Sequence, residues 1–103
     1  SFVFDQALIY RLSNNLWTTC VAEEVFFRAF LLRNQLRFSS APTALILNSA
    51  IFALVHLPFG IAFSTLAFAA GLLYGGAYLK TGKLSIAIAV HFAVNIPLLL
   101  LGI

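Results

Sequence analysis

Three short runs carry most of the polar chemistry in an otherwise oily chain: EEVFFR at Glu23–Arg28, FALVH at Phe52–His56 and HFAVN at His91–Asn95. Four-residue spacing stacks two side chains on one helix face, so Glu24 falls beside Arg28, and His91 beside Asn95. The Glu24–Arg28 pair neutralises two charges and offsets much of their burial. Glu23 lies about 100° around the helix from Glu24 and has no partner in its own helix. An unpaired acid, two imidazoles and an amide are groups that move protons, hold water or ligate a metal.

The surroundings of these groups make their burial a functional question. Hydrophobic residues form 62% of the 103-residue chain and charged residues 9%. Soluble chains average roughly 45–50% apolar and about 25% charged. A soluble domain of this size hides only about two-thirds of its unfolded surface, so a bilayer is the better solvent here. A charge near the bilayer centre costs at least ~2.5–3.5 kcal/mol. The composition therefore implies an integral, multi-pass membrane protein, at the cell membrane if bacterial, with lipid as its surroundings. The net charge of +3 includes no basic patch suited to nucleic acid. The lone Cys20 rules out an internal disulfide. The chain opens on Ser, contains no Met and shows no signal peptide, which points to the excised core of a longer membrane protein.

Helix punctuation predicts an all-α bundle of about four membrane helices. The first runs from about Leu16 to Leu36. Ser39-Ser40-Ala41-Pro42 offers N-caps and a first-turn proline for the second, about Thr43 to Leu57, which stops at Pro58-Phe59-Gly60. At about 15 residues it falls short of the ~20 needed to span and crosses tilted or incompletely. The third spans about Ile61 to Leu79, and Lys80-Thr81-Gly82-Lys83 turns the chain into the fourth, from Leu84 to the end, bent at Pro97. Residues 1–15, with Asp5, Arg11, Asn14 and Asn15, read as an interfacial helix or loop, and residues 16–103 as the intramembrane core. Alternating helices bring Arg33, Arg37, Lys80 and Lys83 to one side, which the positive-inside rule makes cytoplasmic. Ala67, Gly71 and Gly75 form a small-residue stripe suited to close packing within the bundle. Asn34, Asn48 and Ser49 read as packing or interfacial polar groups.

Counted along straight α-helices from the cytoplasmic ends, Glu23 and His56 lie roughly 20 Å deep, Asn95 ~15 Å and His91 roughly 10 Å. One buried pocket drawing on three helices follows from that reckoning. A single buried histidine is commonly a packing residue, and a Glu–Arg pair is often structural. An unpaired Glu with two histidine-bearing motifs is not explained that way.

Together EEVFFR, FALVH and HFAVN resemble the three signatures E-E-x-x-x-R, F-x-x-x-H and H-x-x-x-N of the intramembrane CAAX-protease and bacteriocin-processing family. The stretch FAAGLLYGGAYLKTGKLSIAIAVHFAVN is also similar in spacing to that family's glycine-rich helix, basic turn and final motif helix. The resemblance covers roughly Leu16 to Ile96. It implies an intramembrane endopeptidase acting on a peptide or protein substrate that enters from the membrane or the cytoplasmic side. It further implies that Glu23 is the acid, with Glu24 and Arg28 its motif partners. His56 would help Glu23 hold water, and His91 and Asn95 would face the scissile carbonyl oxygen.

Residue chemistry leaves two versions open. In one, Glu23 deprotonates water and returns the proton to the leaving amine, with His91 and Asn95 donating to the oxyanion. In the other, Glu23, His56 and His91 hold a divalent metal, Zn²⁺ by donor type, which lowers the bound water's pKa to about 7. Other classes use the same groups. A transporter would run protons along buried Glu and His, and a scaffold or immunity protein would keep them without proteolysis. A Cys20–His dyad would make a thiol protease, although no cation adjoins Cys20 in sequence.

Overall fold

A computed structural model describes residues 6–102, so part of the expected interfacial segment (residues 1–5) and the end of the fourth helix lie outside the described residues. Among the described residues the protein is all-α and contains no strand. Helix α1 is a continuous rod over residues 6–35. It is α-helical over Gln6–Asn14, π-helical over Asn15–Val21, α-helical over Ala22–Glu24, π-helical over Val25–Leu32 and α-helical over Arg33–Gln35. The junctions at Asn14, Val21, Glu24 and Leu32 all keep right-handed helical angles. Residues 6–14 therefore run straight into the first predicted helix.

Helix α2 covers Ala41–Val55, α3 Ile61–Thr81 and α4 Leu84–Leu100. Ser40 takes extended backbone angles and its hydroxyl accepts from Thr43 N–H at 3.4 Å, capping α2 with Pro42 in the first turn. The helix ends two residues before the predicted Leu57 because Pro58 has no N–H and its ring excludes the carbonyl four residues back. Leu57–Phe59 tightens into a 3₁₀ turn, and Gly60 at φ 111 opens the corner into α3. Gly82, at φ 69, closes α3 in a left-handed cap, its N–H donating to Tyr78 O at 2.7 Å.

Close contacts between helices fall where α3 has no side chain. A Cβ on Gly71 would stand 3.1 Å from Ser49, and one on Gly75 only 2.6 Å from Leu45 Cδ1. The small-residue stripe thus serves packing within the bundle. Asn48 is fully buried and donates to Phe27 O at 2.9 Å, inside the second π-helical stretch of α1.

Polarity is inverted relative to a soluble protein. Glu24, Arg28, Asn48 and Ser49 are 0% exposed, while Phe30 is 58% and Leu66 69% exposed. Large apolar side chains on the outside and charge within are what a hydrocarbon solvent selects. Ile61–Thr81 is long and apolar enough to cross a membrane, and Ala41–Val55 and Leu84–Leu100 are shorter apolar helices.

Candidate active site

Arg28 anchors the interior. Its Nε lies 3.2 Å from Glu24 Oε1, its Nη2 donates to Gly71 O at 3.3 Å, and its guanidinium sits 4.8 Å over the ring of Phe52. One side chain thereby ties α1 to α2 and α3. Arg28→Ala would leave the Glu24 carboxylate buried with its cation gone, a loss of ~3–5 kcal/mol for a broken buried pair. We expect poor accumulation and a lowered melting temperature in detergent; a well-folded but inactive Arg28→Ala protein would place Arg28 in the chemistry instead.

Phe52 and His56 close the C-terminal end of α2. That end strands carbonyl groups, and the structure satisfies two of them with side chains. Ser64 Oγ donates to Ala53 O at 2.6 Å, and His56 Nδ1 stands 2.6 Å from Phe52 O. A carbonyl only accepts, so Nδ1 carries the proton and Nε2 of neutral His56 is a bare lone pair. The ring packs on Phe52 at 4.5 Å and Phe63 at 5.9 Å between centroids. The aromatic residue of F-x-x-x-H thus has a physical task, lying between the Arg28 cation and the His56 ring.

His91 is held in the same manner by different partners. Its ring stacks on Tyr74 at 4.3 Å and 15°, and Nδ1 stands 2.8 Å from Glu24 Oε2. The Glu24 carboxylate, paired with Arg28, only accepts, so Nδ1 carries the hydrogen and Nε2 of neutral His91 is also bare. The ring N–H expected to face an oxyanion is therefore committed to Glu24.

Glu23 lies between the two bare nitrogens. Its Oε1 is 3.7 Å from His91 Nε2 and its Oε2 is 3.9 Å from His56 Nε2. Three acceptors converging without a proton between them favour a guest that donates twice, which water does. A cation would also answer them by donor type. A tetrahedral zinc with ligands at ~2.0–2.1 Å would draw those atoms to within about 3.3–3.4 Å of one another. The gaps here are wider, and among the described residues no three His, Cys, Asp or Glu side chains stand close enough to hold an ion. Glu23, His56 and His91 match zinc in kind but not in spacing.

Asn95 completes the wall. Its Nδ2 donates to Asn15 Oδ1 at 3.1 Å and lies 3.6 Å from Cys20 Sγ. Cys20 is fully buried, and its thiol donates to Asn15 Oδ1 at 3.3 Å. The sulfur bonds amides instead of a histidine, which is poor support for a thiol nucleophile.

A cavity of about 190 Å³ gathers Glu23, His56, His91 and Asn95, and Asn15 and Thr19 line it too. A second, apolar groove of about 580 Å³ runs between α3 and α4 and meets the first at His56, His91 and Asn95. The four polar residues singled out from the motifs thus meet in one cavity, with Glu24 and Arg28 packed behind them. By sequence Asn15 reads as part of the interfacial segment, and Thr19 is not singled out. The run Asn15, Thr19, Glu23 recurs every four residues, and that polar stripe on an apolar helix was the available signal.

The straight-helix depths of Glu23 and His91 differ by about 10 Å, within the error of the helix boundaries. The structure sets the two side chains side by side, as the single pocket requires. Part of the difference lies in α1: π-helical turns hold more residues per turn, so eight π-helical residues below Glu23 shorten its depth.

Among protein families, the type II CAAX prenyl endopeptidase Rce1-like family model matches residues 5–97. The chain belongs to this family of membrane-embedded proteases. No curated protein and no solved structure matches it.

Proposed function

We propose that this Rce1-like chain hydrolyses peptide bonds inside the bilayer with water activated by Glu23. The observation that carries the proposal is the Glu23 carboxylate set against two imidazole nitrogens whose ring protons are committed elsewhere. Water in that gap donates one hydrogen to Glu23 and the other to an Nε2. Glu23 takes its proton as the oxygen attacks the scissile carbonyl carbon. The carbonyl oxygen becomes an oxyanion facing the Asn95 amide. Glu23 then passes the proton to the leaving amine as the C–N bond breaks, releasing an acid and an amine. His91 holds water in this scheme, and it donates to the oxyanion only as the imidazolium. The Arg28–Glu24 pair fixes the tautomer and orientation of His91.

The substrate is a peptide or protein segment. The apolar groove between α3 and α4 favours lateral entry from the lipid, because it ends on the same His56, His91 and Asn95. The exposed Arg33, Arg37, Lys80 and Lys83, at the ends where α1 and α3 finish and α4 begins, favour a multi-pass arrangement with that end cytoplasmic. A divalent ion held by Glu23, His56 and His91 is the second reading; donor type alone favours it, since the present spacing is wider than zinc ligands keep.

Cleavage of a candidate peptide in liposomes, with products identified by mass spectrometry, tests the function. In the same assay we expect activity to survive exhaustive treatment with a strong chelator. Activity that the chelator removes and Zn²⁺ restores would establish the ion. Proton flux through the liposomes with no peptide cleaved under any condition would favour a proton pathway.

A further inference from the structure

We infer that Asn15 is a positioning residue that sets which end of the Asn95 amide is available to the reaction, an inference resting on the oxyanion role proposed for Asn95. Asn15 sits at the start of the first π-helical stretch of α1. A π-helical turn places residues five apart over one another, and Asn15 stacks over Cys20 in this way. Two donors then converge on a single oxygen: Asn95 Nδ2 at 3.1 Å and Cys20 Sγ at 3.3 Å from Asn15 Oδ1.

That convergence couples the orientations of the two amides. Were Asn15 alone reversed, its NH₂ would face the NH₂ of Asn95, two donors with only the weak acceptor Cys20 Sγ beside them. With Asn15 Oδ1 in place, the nitrogen of Asn95 is drawn to it and its carbonyl oxygen is turned away. An asparagine amide carries two hydrogens. One is held by the Asn15 oxygen, and the other rests against Cys20 Sγ at 3.6 Å, a weak acceptor at long range. The second hydrogen is the one an oxyanion can take over at little loss. Without Asn15, the terminal torsion of Asn95 has two broad, nearly equivalent settings. One of them presents a carbonyl oxygen to the developing negative charge.

The test is a double-mutant cycle in the liposome cleavage assay. Asn15→Ala is expected to lower kcat roughly 10–100-fold, the loss common for partners that orient an acting group, with KM little changed. Because Asn15 acts through Asn95, the Asn15→Ala/Asn95→Ala double variant should be no slower than Asn95→Ala alone. If the alanine variant fails to accumulate, Asn15→Ser, which stays polar but falls short of Asn95, should show the same loss and the same lack of additivity. Wild-type kcat in Asn15→Ala, or losses that multiply in the double variant, would overturn the inference and leave the Asn95 role standing. Wild-type turnover in Asn95→Ala itself would overturn the oxyanion reading and this inference with it.

Discussion

Glu23→Gln is expected to insert, fold and accumulate as the parent does while losing on the order of 10²–10⁴-fold in turnover, the usual contribution of a general base. The side chain keeps its shape, so the cavity stays filled. The new amide can turn its NH₂ toward one of the Nε2 lone pairs that the carboxylate faces at 3.7 and 3.9 Å, which relieves the meeting of acceptor with acceptor. It cannot accept the water's proton or return it to the amine. Thermal melting in detergent alongside product mass spectrometry separates the two effects. Wild-type cleavage by a purified, melting-competent Glu23→Gln protein would remove Glu23 from the mechanism. The contrast with Arg28→Ala is diagnostic: one variant loses chemistry with the fold intact, and the other loses the fold first.

Asn95→Ala should lower kcat by about 10²–10³, as removal of one oxyanion donor does, while KM changes far less. The asymmetry arises because the amide meets a charge that exists only in the transition state. Asn95 does not titrate, so the pH dependence of cleavage should be unmoved. A purely KM defect would make Asn95 a substrate-binding group. Steady-state kinetics over a pH series decide between these outcomes. A proton relay has no use for a non-titrating amide, so a kcat defect in cleavage also weighs against the transporter reading.

Much of the fold was legible in the sequence because helix punctuation is local chemistry. Pro58 and Gly60 end one helix and start the next, Gly82 turns the chain where only a residue without Cβ is relaxed, and Ser40 caps α2 with its own hydroxyl. Hydropathy dictates an apolar exterior with the few charges inside, and a bundle satisfies both demands. The motif residues were legible for a related reason. A buried acid with no partner four residues away must find one on another helix, whichever fold provides it.

What the sequence by itself determined was therefore the helix order, the membrane as solvent and the set of polar groups obliged to meet. Tertiary structure alone decided which of them touch and through which atom. His91 Nδ1–H donates to Glu24 Oε2 at 2.8 Å, which bares Nε2 toward Glu23, and nothing local to HFAVN specifies that choice. Likewise, Asn15 reaches Cys20 only because α1 adopts a π-helical register, and reaches Asn95 only because α4 packs there. Side-chain periodicity records which residues share a face. The atom-to-atom pairing is set by how helices cross, and that depends on contacts made across the whole bundle, such as those of Gly71 and Gly75 with α2.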